Sequence, residues 1–244
     1  MSNVRRHNFH YSPPPVMAEA GASVHISKLA AAQRQLTAAI RLYFVGEDEL
    51  AVHTVASAAY RLIADLKAAR GMNEVADSHL LSVFYVVRDF RRGTLPKHIV
   101  ENEAMMKWVT DMAAQLPITA DSVLDDVTAH VGDEAARDFW RKQNEASNFL
   151  KHADKDAKAH INLTKIDNLA LLMQAMGAYT DLVRTDLGPE GLVLWLYACV
   201  AHGETDSLPM KFKAIGGRLL EFTGSARREV CSALIQELGT RENE

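Results

Sequence analysis

The sequence is poor in cysteine and has no strong excess of charge of one sign. It has two cysteines in 244 residues, Cys199 and Cys231, and both lie in apolar helical patterns. Two thiols without close spacing exclude a disulfide framework and the usual cysteine-based structural zinc site. The formal net charge of -4 excludes a molecule that binds nucleic acid through its overall positive charge.

Long apolar runs are also missing from the sequence. The longest such run, residues 191–201, is far shorter than the roughly 20 residues that a membrane-spanning helix needs. The basic N-terminus is not followed by the apolar core of a secretory signal. We therefore expect a cytoplasmic protein without a membrane association.

Helical periodicity dominates the rest of the chain. Apolar residues recur at steps of three and four, and no strand-like alternation of any length occurs. This pattern predicts an all-α fold, a helical bundle of about 8–10 helices with mostly antiparallel neighbours. Thr164 and Asp167 predict a capping box at the start of one long helix. The predicted helices cover residues 27–45, 48–69, 74–91, 97–116, 120–131, 134–152, 165–185, 189–202, 209–222 and 225–239.

The domain organisation is predicted from proline content and from a polar interruption near residue 160. Residues 1–24 include three consecutive prolines, which favour an extended chain, and we expect a disordered tail there. Residues 25–160 should form an N-terminal helical bundle, and residues 163–240 should form C-terminal helices packed on it, within two domains or one. Long helices with alanine-rich faces favour self-association, so we expect a homodimer.

One helix end carries an unusual polar stripe. Arg141, Asn144, Glu145, Asn148 and His152 follow each other at three- and four-residue steps and should stack along one side. Asparagine and histidine are poor helix formers, so the stripe indicates a hydrogen-bond network or a functional site. The alternative is an ordinary helix C-terminus, where histidine and lysine meet exposed carbonyls and the negative end of the helix dipole.

Within a functional site, His152 would be a general acid or base near neutral pH, and Asn148 and Lys151 would complete the catalytic set. His53 is a second candidate, placed beside small residues, and the sharper hypothesis has it facing His152. Its alternative is a core histidine with satisfied hydrogen bonds. The residues assigned to ligand binding are His53, Arg141, Glu145, Asp154 and Asp156.

A metal site is the third interpretation of this region. His152, Asp154, Asp156 and His160 are a cluster of possible oxygen and nitrogen ligands, which suit manganese, iron or zinc. Helical di-metal bundles use Glu-x-x-His pairs, however, and this sequence contains none. We therefore predict no metal and no other cofactor.

Three stretches carry a resemblance to known proteins. Residues 28–36, the pair His53-Thr54, and the run Asn148-Phe-Leu-Lys-His152-Ala-Asp resemble an uncharacterised bacterial family of all-helical proteins. More distantly, a helix pair with a late polar residue and histidine is similar to the HEPN group, which includes RNases of toxin and defence systems. The chain departs from the motif of that group, because Glu145 stands where its arginine is expected.

Two functions of different classes therefore stay open. The first is a non-enzymatic helical protein that binds a protein partner or a small ligand, since no complete catalytic motif is present. The alternative, implied by the HEPN resemblance, is a metal-independent RNase or nucleotide-acting enzyme that uses His152, with RNA as the partner. The sequence does not decide whether the protein is an enzyme.

Overall fold

The computed structural model describes residues 25–123, 133–151, 157–203, 205 and 208–241. Within these ranges the chain forms helices and no strand, so the predicted all-α class is confirmed. None of the helices in these ranges is both long enough and apolar enough to cross a membrane. The helices are α1 (Lys28–Val45), α2 (Glu49–Ala68), α3 (Glu74–Arg92), α4 (Lys97–Val100), α5 (Glu103–Gln115), α6 (Asp133–Lys151), α7 (Asn168–Val183), α8 (Pro189–Ala201), α9 (Met210–Leu220) and α10 (Gly224–Arg241), with a short 3-10 helix at Leu163–Lys165 before α7.

Side-chain caps set the starts of several helices, and two of them correct the sequence prediction. The single helix predicted over residues 97–116 is wrong, because Asn102 adopts an extended backbone and accepts a hydrogen bond from Met105 N, which starts α5. The predicted capping box is also wrong in detail. Asp167 is itself the N-cap of α7 and accepts from Ala170 N, whereas Thr164 lies in the 3-10 helix.

The hydrophobic core joins the two ends of the chain. One cluster of buried residues draws on α1 and α2 together with α7, α8, α9 and α10. A smaller cluster lies between α3 and α5 around Phe84 and Ile118. The larger cluster contains residues from both sides of the boundary predicted near residue 160. The division into domains, the antiparallel orientation of neighbours and the homodimer stay predictions.

A buried ion cluster connects three of the helices. Lys67 of α2 is 1% exposed. Its Nζ lies 2.7 Å from Glu74 Oε2, 2.7 Å from Asp77 Oδ2 and 2.8 Å from Asp181 Oδ2. Burial alone would lower the pKa of Lys67, but hydrogen bonds to the three carboxylates outweigh it and raise the pKa above its ordinary value. The ammonium therefore holds α3 and α7 against α2.

A chain of hydrogen bonds extends from this ion cluster to α6. Tyr60 Oη donates to Glu74 Oε1 at 2.8 Å, and Gln174 Nε2 donates to Tyr60 Oη at 2.9 Å. Gln143 Nε2 of α6 then donates to Gln174 Oε1 at 2.6 Å. The aromatic pair Tyr60–Trp140, with ring centroids 5.8 Å apart, adds an apolar contact between α2 and α6. This chain fixes the position of α6, which forms one wall of the site considered next.

Replacing Lys67 tests whether the ion cluster holds the helices together. Lys67→Met keeps the length of the side chain but leaves three carboxylates without their shared cation, so we expect a loss of about 3–5 kcal/mol in the free energy of unfolding, measured by urea denaturation. Lys107→Met is the matched control, because Lys107 pairs with Asp111 on the exposed face of α5. Equal, small losses in the two variants would contradict the assignment.

Candidate functional site

A cleft of about 390 Å³ lies between α2, α6 and the start of α7. Its volume is at the lower end of the range for small-molecule sites. We call it the His53 cleft. It is lined by His53 of α2; by Lys142, Gln143, Glu145 and Ala146 of α6; by His160, Ile161, Asn162, Ile166 and Asp167 of the segment before α7; and by Ala170, Leu171 and Gln174 of α7.

His53 is a buried polar group in this cleft. It is 8% exposed, and neither Nδ1 nor Nε2 makes a hydrogen bond within the part of the chain that the structure describes. A buried polar group that is left without a partner costs about 1–3 kcal/mol of stability. Among the described residues, the histidine therefore gains no stabilising hydrogen bond, in contrast to the paired groups around Lys67.

Asn168 lies beside this histidine at the first position of α7. Its Nδ2 donates to the Glu49 carbonyl at 2.9 Å, and its buried Oδ1 accepts no hydrogen bond from a described residue. Burial lowers the pKa of His53 below its ordinary value of 6.5, and an interaction with the Asn168 carboxamide, which favours the protonated ring, offsets that effect in part. The imidazole is therefore neutral at pH 7 and offers one N–H donor and one lone pair.

The rim of the cleft is charged, whereas its floor is not. Lys142 and Glu145 of α6 are exposed and make no ion pair or hydrogen bond with any described residue. Asp167, on the opposite side, uses Oδ1 to cap α7. The floor consists of the neutral imidazole, the carboxamides of α6 and α7, and aliphatic side chains. Such a site suits a small ligand with a neutral polar group at its inner end.

Two further clefts border the same bundle. One, of about 540 Å³, lies over the Lys67 ion cluster and shares Gln143, Ala170 and Gln174 with the His53 cleft. Its buried polar residues, Lys67 and Glu74, are paired with each other. The other, of about 650 Å³, is mainly apolar and lies between α7, α8, α9 and α10. Neither of these two clefts is lined by a polar side chain that is both nine-tenths buried and without a partner among the described residues.

The structure brings two of the predicted site residues together. His53 and Glu145, both assigned to ligand binding, line the same cleft. Arg141 does not line it; it is exposed and pairs with Asp138 at 3.0 Å. Asn148 and Lys151, two of the three proposed catalytic residues, are exposed on α6 and are not part of the cleft lining.

Three predicted residues, His152, Asp154 and Asp156, lie outside the described residues. The hypothesis that His53 faces His152 and the RNase alternative therefore stay predictions. No group of three or more histidine, cysteine, aspartate or glutamate side chains suited to hold a metal ion occurs in the described ranges.

Several residues of the cleft were not predicted from the sequence. Gln143 and Gln174 form the hydrogen bond between its two main walls, and Lys142 contributes to its rim. His160, which was considered as a metal ligand, also lines the cleft. A signal for Gln174 was available, because this amide interrupts the apolar run of α7 at a position that helical periodicity assigns to a packed face. Lys142 carried no comparable signal, since an exposed lysine on a helix is ordinary.

Comparison with known proteins does not add an assignment. No family model, no curated protein sequence and no solved structure matches this chain.

The burial of His53 predicts a dependence of stability on pH. Because its pKa is lowered on folding, the unfolded chain takes up the proton first as the pH falls through 6.5, and the folded state loses stability below that pH. The loss is at most about 1.4 kcal/mol per pH unit. His53→Phe should show a smaller loss between pH 7 and pH 5 than the unmodified protein, in urea denaturation at each pH.

The matched control for this measurement is His202→Phe, because His202 is exposed at the end of α8. It should keep the pH dependence of the unmodified protein. If His53→Phe also kept it, the imidazole would not be a buried neutral group.

Proposed function

We propose that this protein is a non-enzymatic helical protein that binds a small polar ligand in the His53 cleft. The observation that carries this proposal is a histidine that is 8% exposed, lines an accessible cleft and has no hydrogen-bond partner among the described residues. Buried polar groups in folded proteins are nearly always paired. An exception that faces a cleft is explained by a ligand that supplies the missing partner.

The surroundings of His53 support a binding role. Four turns further along α2, Lys67 has three carboxylate partners, and Tyr60 and Gln174 are hydrogen-bonded to each other. One turn along α2 from His53, Ser57 Oγ is also buried and lacks a partner among the described residues. Of these two side chains, His53 is the one that lines the cleft.

A binding role without catalysis agrees with the chemistry of the described lining. A neutral imidazole could accept a proton, but the described lining contains no serine, cysteine or threonine beside it that would become a nucleophile. Among the described residues, the lining also holds no set of ligands for a metal ion. Hydrogen bonding and shape complementarity are what the cleft offers.

A thermal denaturation screen with small polar metabolites tests the proposal. A ligand that binds the folded state stabilises it by about 2.7 kcal/mol at a concentration one hundredfold above its Kd. We expect at least one compound to raise the Tm of the unmodified protein and of His202→Phe, and to leave the Tm of His53→Phe unchanged. His53→Phe removes no hydrogen bond to a described residue, so it should fold; its circular dichroism spectrum checks this.

Two results would contradict the proposal. One is a screen in which no compound changes the Tm of the unmodified protein. The other is a compound that raises the Tm of the folded His53→Phe variant by the same amount.

A further inference from the structure

The rim of the His53 cleft carries two opposite charges that the described chain leaves unpaired. Lys142 and Glu145 lie three residues apart on α6, line the cleft and are exposed. Neither has an ion pair or hydrogen bond with a described residue, and they do not pair with each other. Their neighbour Arg141 does pair with Asp138 at the same three-residue spacing.

Residues three apart on a helix have Cβ atoms about 5–6 Å from each other. Two opposite charges at that spacing, both beside one cleft, can contact the two ends of a single zwitterion. An α-ammonium would donate to the Glu145 carboxylate, and an α-carboxylate would accept from the Lys142 ammonium, in charge-assisted hydrogen bonds. A purely anionic or purely cationic ligand would satisfy one of these residues and be repelled by the other.

The floor of the cleft selects the rest of the molecule. The imidazole of His53 is buried, unpaired within the described chain and neutral, with aliphatic side chains around it. A charged group at this depth would lose its hydration without gaining a counter-ion. Both ring nitrogens are covered in the free protein, so an amide or hydroxyl group would exchange a hydrogen bond with the ring after side chains of the lining have moved aside.

We infer that the ligand of the His53 cleft is a free α-amino acid with an uncharged, hydrogen-bonding side chain. The α-carboxylate binds Lys142, the α-ammonium binds Glu145, and the side chain reaches His53. The cleft volume of about 390 Å³ suits a single amino acid better than a nucleotide or a cofactor of several rings. This inference rests on the proposed function, because it names the class of ligand for the same site.

Isothermal titration with L-glutamine and L-tyrosine is the direct test. We expect one or both to bind, and we expect both the α-ammonium and the α-carboxylate to contribute to the affinity. For L-glutamine, the matched probes are 4-carbamoylbutanoate, which lacks the α-ammonium, and 4-aminobutanamide, which lacks the α-carboxylate. Each should bind about fivefold to tenfold more weakly than L-glutamine.

Variants of the protein assign each contact. Glu145→Gln should remove the preference for L-glutamine over 4-carbamoylbutanoate, and Lys142→Gln should remove the preference over 4-aminobutanamide. L-methionine keeps the zwitterion and the length of L-glutamine without its amide, so His53→Phe should bind the two amino acids equally. Lys107→Gln, on the exposed face of α5, is the control that should bind as the unmodified protein does.

The outcomes separate the inference from the proposed function. If the two singly charged probes bind as tightly as L-glutamine, the proposed recognition of a zwitterion by Lys142 and Glu145 is wrong, although the site binds ligands. If neither amino acid binds but the metabolite screen finds a His53-dependent ligand, the ligand class is wrong and the proposed function stands. If neither experiment finds a His53-dependent ligand, both are wrong.

Discussion

One buried ammonium, that of Lys67, has three carboxylate partners, and the relative positions of α2, α3 and α7 depend on it. Burying a charge is unfavourable unless the surrounding groups compensate for the lost hydration. Here two of the compensating carboxylates come from α3, the next helix in sequence, and the third comes from α7, which is more than 100 residues away. The cluster is therefore complete once α7 has packed against α2. The hydrogen bonds through Tyr60, Gln174 and Gln143 then extend the same constraint to α6.

This constraint explains how a cleft with an unpaired histidine is maintained. His53 and Lys67 lie on the same helix, about 21 Å apart at the rise of an α-helix. At one end of α2 the polar groups are paired among themselves, and at the other the imidazole lacks a partner among the described residues. The Gln143–Gln174 hydrogen bond joins the two walls beside His53. A cost in stability at His53 is thus offset by contacts elsewhere in the bundle.

The features that could be predicted from the sequence are those that depend on residues close to one another along the chain. Helical periodicity identified the all-α class and most helix positions, because an amphipathic stripe is visible in one segment at a time. Periodicity predicted α4 and α5 as one helix, because the sequence does not distinguish a capping asparagine from a polar residue on a helix surface. In the structure, the side chain of Asn102 caps α5. His53 and Glu145 were singled out from the sequence on separate grounds, and both line one cleft; their role in ligand binding stays a prediction. The Lys67 cluster was not predicted, since Asp181 joins Glu74 and Asp77 through tertiary packing alone.

The central claim is that the imidazole of His53 is neutral and available to a ligand, and nitrogen-15 NMR of the histidine side chains measures both properties. The His53 signals are those that disappear in His53→Phe. The account predicts a neutral ring at pH 7 in the free protein, with ring nitrogen shifts that move when a stabilising small molecule saturates the cleft. A ring that is protonated at pH 7, or one whose nitrogen shifts stay the same at saturation, would contradict the account.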